Sequence, residues 1–328
     1  MEKNNELFFD SLEIFETEWH SLKRSVKHRP LILNDKNQNE EKYYVSRLNK
    51  KNKNLIEEVS YTLKENKNGL KTFVNSNPND IYKEIEYVLN KYSFRTHVFE
   101  LLKTNEVNIL TSGCSNTFGQ EMPNELIWPS LLKNIVEQKN KNINVKLYNL
   151  GVPGLDTTRI ITNCYTFIEK YGKPDYICML LPPIQRTLRL DKDNKLFKTK
   201  QDPDYFDNVE HFAKIFFEKK STLSLEFFNN IFTIKNFETF CKINNIKLAW
   251  FCWEKISQKI YENLNFNNLI SLINFENETV ELLTEHKKNN NKYWHFAADN
   301  NHLGLIQHIS WSNLFFDKIM ENNDNIGN

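Results

Sequence analysis

Three short stretches of this chain combine residue types able to do nucleophilic chemistry. In Ser112-Gly113-Cys114-Ser115-Asn116-Thr117-Phe118-Gly119, which follows the apolar run Val107 to Leu110, Gly113 permits a sharp exit from a strand. Gly119 lets the following backbone approach closely, so the Ser115 hydroxyl would stand exposed on the turn, able to attack a carbonyl. The same residues also fit a plain turn leading into a helix, because Ser, Asn and Thr are all capping types. In Asn149-Leu150-Gly151-Val152-Pro153-Gly154-Leu155-Asp156-Thr157-Thr158, a glycine at a strand end can present its N–H to a developing oxyanion with no side chain in the way. An ordinary strand-to-helix loop with Asp156 or Thr157 as N-cap reads equally from these residues. In Asp299-Asn300-Asn301-His302-Leu303-Gly304, the spacing of three lets the carboxylate accept from His Nδ1–H, leaving Nε2 as a base that could activate Ser115. A solvated turn with an incidental histidine is the alternative.

All three stretches fall where strands end or helices begin. From about residue 105, apolar runs of strand length alternate with amphipathic stretches, the pattern of a parallel sheet covered on both faces. The expected elements are strand Val107 to Leu110, helix Glu125 to Glu137, strand Val145 to Leu150, helix Thr157 to Tyr171 and strand Tyr176 to Leu181. A long polar insertion, Leu190 to Lys219, precedes a helix over Leu223 to Asn244, a strand over Lys247 to Trp253 and a last helix over Leu303 to Met320. Such sheets place their sites outside the carboxyl ends of the strands. Residues 1 to 104 are charge-rich and read as an N-terminal appendage, partly helical at Leu7 to Arg24 and Ile81 to Lys91, with an extended piece at Lys71 to Val74. The domain boundary is placed there, with 105 to 328 as the catalytic-sized domain.

In their order and strand-end placement, the three stretches together resemble the SGNH (GDSL-type) hydrolase family over about residues 106 to 320. Gly113 to Gly119 is similar to that family's Gly-Asp-Ser-x-x-x-Gly block, which implies Ser115 as nucleophile. Asn149 to Gly154 looks like the second block, with Gly151 the implied oxyanion glycine. Asp299 and His302 look like the last block, and His308, six residues on, resembles a second histidine common in the family's C-terminal helix. The implied fold is a flavodoxin-like three-layer α/β/α sandwich with a parallel sheet of about five strands. The implied activity is hydrolysis of a carboxylic ester, an O-acetyl or other O-acyl group on a sugar or glycan, with no cofactor.

Two departures from that pattern bear on chemistry. Cys114 stands where the family usually has Asp, in closer resemblance to members reading Gly-Cys-Ser, and it raises an alternative thiol nucleophile. The family's third block, Gly-x-Asn-Asp, would follow Tyr176 to Leu181, where this chain has Pro182-Pro183-Ile184-Gln185-Arg186. Loss of one oxyanion donor costs about a hundredfold to a thousandfold in rate, so Gln185 or Arg186 would have to supply a replacement N–H. Arg186 and Arg189 could instead be surface charges or bind a substrate anion. A chain that kept the fold without the third donor would be a noncatalytic glycan-binding or assembly module.

Composition excludes other classes. Lys+Arg 43 against Asp+Glu 42 leaves no basic field for nucleic acid or an anionic membrane. The basic run Arg47 to Lys53 reads as a solvated loop, and the aromatic groups Trp250-Phe251-Cys252-Trp253 and Tyr293-Trp294-His295-Phe296 read as core before groove. Five cysteines form no Cys-x-x-Cys pair, no metal-ligand spacing or glycine-rich phosphate loop is present, and the start of the chain lacks the pattern of a secretory signal. A soluble cytoplasmic protein acting on a small-molecule or glycan ester is expected, with its oligomeric state open.

Overall fold

The computed structural model describes residues 42–48, 56–65, 71–75, 85–90, 92, 94–139, 143–184, 186, 188–190, 196–198, 222–271, 293–298 and 302–321. In chain order the strands and helices are β1 (Lys42–Leu48), β2 (Ile56–Glu65), β3 (Lys71–Asn75), β4 (Glu86–Leu89), β5 (Val107–Gly113), α1 (Ser115–Phe118), α2 (Trp128–Lys139), β6 (Val145–Gly151), α3 (Thr157–Tyr171), β7 (Tyr176–Leu181), β8 (Leu188–Leu190), β9 (Leu196–Lys198), α4 (Thr222–Ile243), β10 (Lys247–Cys252), α5 (Lys255–Glu262) and α6 (Leu305–Glu321).

Strands β10, β7, β5 and β6 form a parallel sheet in that order. An isolated parallel bridge between Trp250 and Leu269 adds the beginning of a fifth position beyond β10. Alternate residues of each strand go to opposite faces, as the two-residue period of a strand requires. Leu110, Tyr148, Leu150, Ile177, Met179, Leu181, Leu248 and Trp250 pack under α3 and α4, against Ile160, Ile161, Cys164, Phe167, Ile234 and Phe237. Ile109, Val145, Cys178, Leu180, Ala249 and Phe251 face α2 and α6, against Trp128, Leu132, Trp311, Phe315 and Ile319. The result is the three-layer α/β/α sandwich anticipated from the alternation of apolar runs and amphipathic stretches. Both faces being covered explains why β7 and β10 are apolar throughout after their first residue. Trp250 and Phe251 are core, as expected of that aromatic group. Helix α3 starts and stops where expected because Asp156 caps it, accepting from Arg159 N–H at 2.8 Å, while its apolar residues recur on one face.

The preceding segment differs from its sequence reading. Strands β1 to β4 form an antiparallel sheet in chain order, and β3 covers the extended piece expected at Lys71 to Val74. The helix expected over Ile81 to Lys91 is instead strand at Glu86–Leu89. The spacing of Ile81, Ile85 and Val88 fits a helix, but the period of two wins: Ile85, Tyr87 and Leu89 are buried while Val88 is exposed. Those three side chains join Phe118, Met122, Ile127, Trp294 and Leu305 in one cluster beside the carboxyl end of β5. The helix expected at Leu7 to Arg24 lies outside the described residues.

Candidate active site

The turn after β5 is built by close packing. Gly113 ends β5 in register with Gly151 of β6 and Leu180 of β7. Helix α1 begins at once, with Thr117 N–H and Phe118 N–H donating to the Cys114 carbonyl at 3.0 and 2.9 Å. Gly119, at φ +77°, closes it with a left-handed residue. A Cβ at Gly151 would run into the backbone of Thr117 and Phe118, so α1 can lie on the strand end only because position 151 has no side chain. From residue 108 to 123 every residue is buried except Ser115, which is partly exposed. Cys114 is 0% exposed, so the neighbouring thiol is not presented. All five cysteines are free and buried, and burial pushes the Cys164 thiol up to about 12.

Gly151 is placed beside this turn, but its amide is not free. Its N–H donates to Asn149 Oδ1 at 2.8 Å, while Asn149 Nδ2 donates to the Thr117 carbonyl at 2.9 Å. This is an Asx-type turn, in which a side chain satisfies a backbone donor two residues on. The amide expected to face an oxyanion is therefore occupied by a neighbouring side chain that also pins α1.

The loop bearing His302 is folded back against the same corner. Ala298 N–H donates to the Glu121 carbonyl and Ala297 N–H to the His302 carbonyl, both at 3.0 Å. Tyr293 and Trp294 are buried in that corner and Phe296 is exposed. Residue 121 lies three positions beyond α1, so the backbone brings the serine turn and the histidine loop side by side. Both Ser115 and His302 are partly exposed. Asp299 and Gln185 lie outside the described residues.

Six residues beyond His302, on α6, His308 has a different environment. It is 1% exposed, and its Nδ1 accepts from Trp128 N–H at 3.0 Å, capping an otherwise unpaired amide at the start of α2. Burial, then the nearby His302 and Arg95, lower its pKa to about 3. His308 is a neutral imidazole that joins α6 to α2, on the face of the sheet where Trp128 and Phe315 stack at 4.5 Å.

A buried cluster that motif reasoning missed supports the serine turn from below. The Arg95 guanidinium donates to the carbonyls of Gly119 at 2.7 Å, Met122 at 2.9 Å and Phe118 at 3.3 Å. It lies 4.5 Å from the centre of the Tyr87 ring. The Tyr87 hydroxyl donates to Glu121 Oε1 at 2.9 Å and accepts from Glu121 N–H at 2.7 Å. Burial and the Glu121 carboxylate raise the Tyr87 pKa well above its ordinary value, keeping it a donor. The one available signal was an arginine set among Tyr92, Phe94 and Phe99, a charge in an apolar neighbourhood.

On the other side of β5, the chain leaves β7 through Pro182 and Pro183 into a pinned turn. Arg186 N–H donates to the Pro183 carbonyl at 2.9 Å, and Ile184 is held through both its N–H, to Ser257 Oγ at 3.0 Å, and its carbonyl, from Asn230 Nδ2 at 2.6 Å. Arg186 is buried beside Trp253. Among the described residues no His/Cys/Asp/Glu group could hold a metal ion, and no helix is long and apolar enough to cross a membrane.

No family model matches this chain, and no curated protein does. Solved structures do resemble it. A psychrotrophic esterase from Pseudoalteromonas sp. is 11% identical, with 67% of this chain and 100% of that one covered at a TM-score of 0.38. An acetyl xylan esterase is 13% identical over 66% of this chain and 99% of that one, TM-score 0.35. A catalytic variant of an acetylxylan esterase from Geobacillus stearothermophilus is 11% identical over 66% and 96%, also at 0.35. At these scores the likeness carries no argument about chemistry, which rests on this chain's own residues.

Proposed function

We propose that this chain is a serine ester hydrolase of the SGNH type, acting on an O-acetyl or other O-acyl group of a sugar or glycan. The observation that carries the reading is that Ser115 alone is accessible in a turn otherwise buried from residue 108 to 123. The one residue left partly open there is a serine, whose hydroxyl can serve as a nucleophile. His302 Nε2 takes the Ser115 proton as Oγ bonds to the ester carbonyl carbon, and the same proton then passes to the departing alkoxide. Water, deprotonated by His302, attacks the acyl-serine and releases the carboxylic acid, returning the proton to Ser115. Asp299 holds the imidazole in the required tautomer. The Ser115 N–H is one oxyanion donor. Gly151 N–H becomes the second by turning from Asn149 Oδ1 to the developing charge, and the sequence after β7, with Gln185 and Arg186, is where a third would be sought.

The engaged Gly151 amide favours a second reading, a noncatalytic glycan-binding or assembly module. One experiment separates the two: hydrolysis of 4-nitrophenyl acetate by the native chain and by Ser115→Ala, with folding checked by circular dichroism. A rate that falls at least about a hundredfold, roughly 2.7 kcal/mol of transition-state stabilisation, supports the esterase. Equal rates overturn it.

A further inference from the structure

We infer that Arg186 and Trp253 form a binding site for an anionic group on the substrate, so that the ester carries a carboxylate or another oxyanion some bonds away from its carbonyl. The inference rests on the esterase reading for the word ester, and on the two side chains themselves for the anion.

The buried charged residues among those described are Arg95, Glu121, Asp156, Arg186 and Glu238. Four of them have partners. Arg95 donates to three carbonyls, Glu121 accepts from Tyr87, Asp156 accepts from Arg159 N–H, and Glu238 accepts from Trp250 Nε1 and Asn268 N–H. Arg186 differs among the described residues: it is 8% exposed, and no described group accepts from its buried Nε or bonds to its guanidinium. A guanidinium N–H removed from water without an acceptor is unfavourable, and an anion arriving there recovers that cost as a charge-assisted hydrogen bond.

A second, independent donor lies beside it. The guanidinium carbon is 5.9 Å from the centre of the Trp253 ring, and Trp253 Nε1 is likewise buried without a partner. The backbone at both positions is pinned. Trp253 N–H donates to the Leu181 carbonyl at 3.3 Å, Arg186 N–H to the Pro183 carbonyl at 2.9 Å, and Cys252 Sγ to the Pro182 carbonyl at 3.3 Å. These contacts hold in place the two backbone positions that carry the donors, which lowers the entropy lost on binding.

Position decides between this role and that of an oxyanion donor at the reacting carbonyl. Ser115 follows β5, whereas Trp253 follows β10, and β7 lies between them. Two strand spacings put the two strand ends on the order of 10 Å apart. A group held over Trp253 is therefore part of the acyl or alcohol portion remote from the carbonyl under attack. With a net charge of +1 there is no general positive field, and selection for the anion is local to this turn.

The test has a binding arm and a turnover arm. Calorimetric titration with succinate is expected to show binding by the native chain and by Ser115→Ala, weakened about tenfold or more in Arg186→Met and roughly threefold in Trp253→Phe, which keeps the ring and loses the N–H. A parallel titration with inorganic phosphate tells a planar from a tetrahedral preference. In the turnover arm, kcat/KM for 4-nitrophenyl hemisuccinate divided by that for 4-nitrophenyl acetate is expected to fall about tenfold in Arg186→Met. Arg186→Lys, with the charge but not the fork, and Trp253→Phe keep the test decisive should Arg186→Met not fold. No binding of either anion by the native chain, or binding unchanged in all three variants, overturns the inference even if acetate ester hydrolysis proceeds through Ser115. Anion binding through Arg186 without any Ser115-dependent hydrolysis leaves the site standing and overturns the esterase reading.

Discussion

His302 and His308 are six residues apart, on a loop and on the helix that follows it, and their surroundings give the same imidazole opposite capacities. His308 is enclosed, its Nδ1 committed to Trp128 N–H and its charged form disfavoured by burial. His302 is partly exposed, on a loop fastened to Glu121 through Ala298. A histidine that must gain and lose a proton during turnover needs access, while one that holds two helices together does not. Residue type and motif spacing alone would treat both alike. Their environments separate a candidate base from a fastener.

The sharpest way to break that contrast is to exchange the expected phenotypes. His302→Gln is expected to lower ester hydrolysis about a thousandfold, roughly 4 kcal/mol, with an unfolding midpoint close to that of the native chain. A comparable rate loss in His308→Gln at unchanged His302 would overturn the assignment.

Next is pH. The folded pKa of His308 is lowered from 6.5 to about 3, so between those values the unfolded chain binds a proton that the folded chain does not. Its contribution to stability is full above pH 6.5 and is lost progressively as pH falls towards about 3. That loss is on the order of a few kcal/mol. Urea melts across this window should be flatter with pH in His308→Gln than in the native chain, and parallel curves would refute the buried neutral imidazole.

Truncation to His308→Ala leaves Trp128 N–H unpaired and a void between α2 and α6. About 2 to 4 kcal/mol of destabilisation at neutral pH is expected from denaturant melts. The smallest effect sharpens the picture on the serine side: Asn149→Ala strands the Thr117 carbonyl and frees Gly151 N–H, costing about 1 to 3 kcal/mol in the same assay. A gain in kcat with that loss would show that Asn149 competes with the substrate for the amide.

The sheet could be read in advance because a strand buried on both faces has few alternatives. Tyr176–Leu181 is apolar throughout after its first residue, and helix α3 announced itself by Asp156 and the period of its apolar residues. β4 was misread because four to seven residues are too few to separate a period of two from 3.6 when Ile85 fits both. Ser115, Gly151 and His302 were picked out as types and spacings; Ser115 starts the helix after β5, Gly151 ends β6, and the loop of His302 is bonded to Glu121 through Ala298. The direction of the Gly151 amide was not found, although an Asn two residues before the glycine is itself a turn signal. Arg95 gave only the weak signal of a charge among Tyr92, Phe94 and Phe99, because what makes it matter is three carbonyls brought together by folding.

The corner around Ser115 is assembled from three separated passes of the chain, through Ile85, Tyr87, Leu89 and Arg95, then Phe118, Met122 and Ile127, then Trp294, Ala298 and Leu305. The turn that carries Ser115 is thus braced by segments made both before and long after it. A nascent chain that has not yet reached Leu305 would hold Ser115 on an unfinished turn, so any chemistry at that residue would wait for the later segments to fold into place.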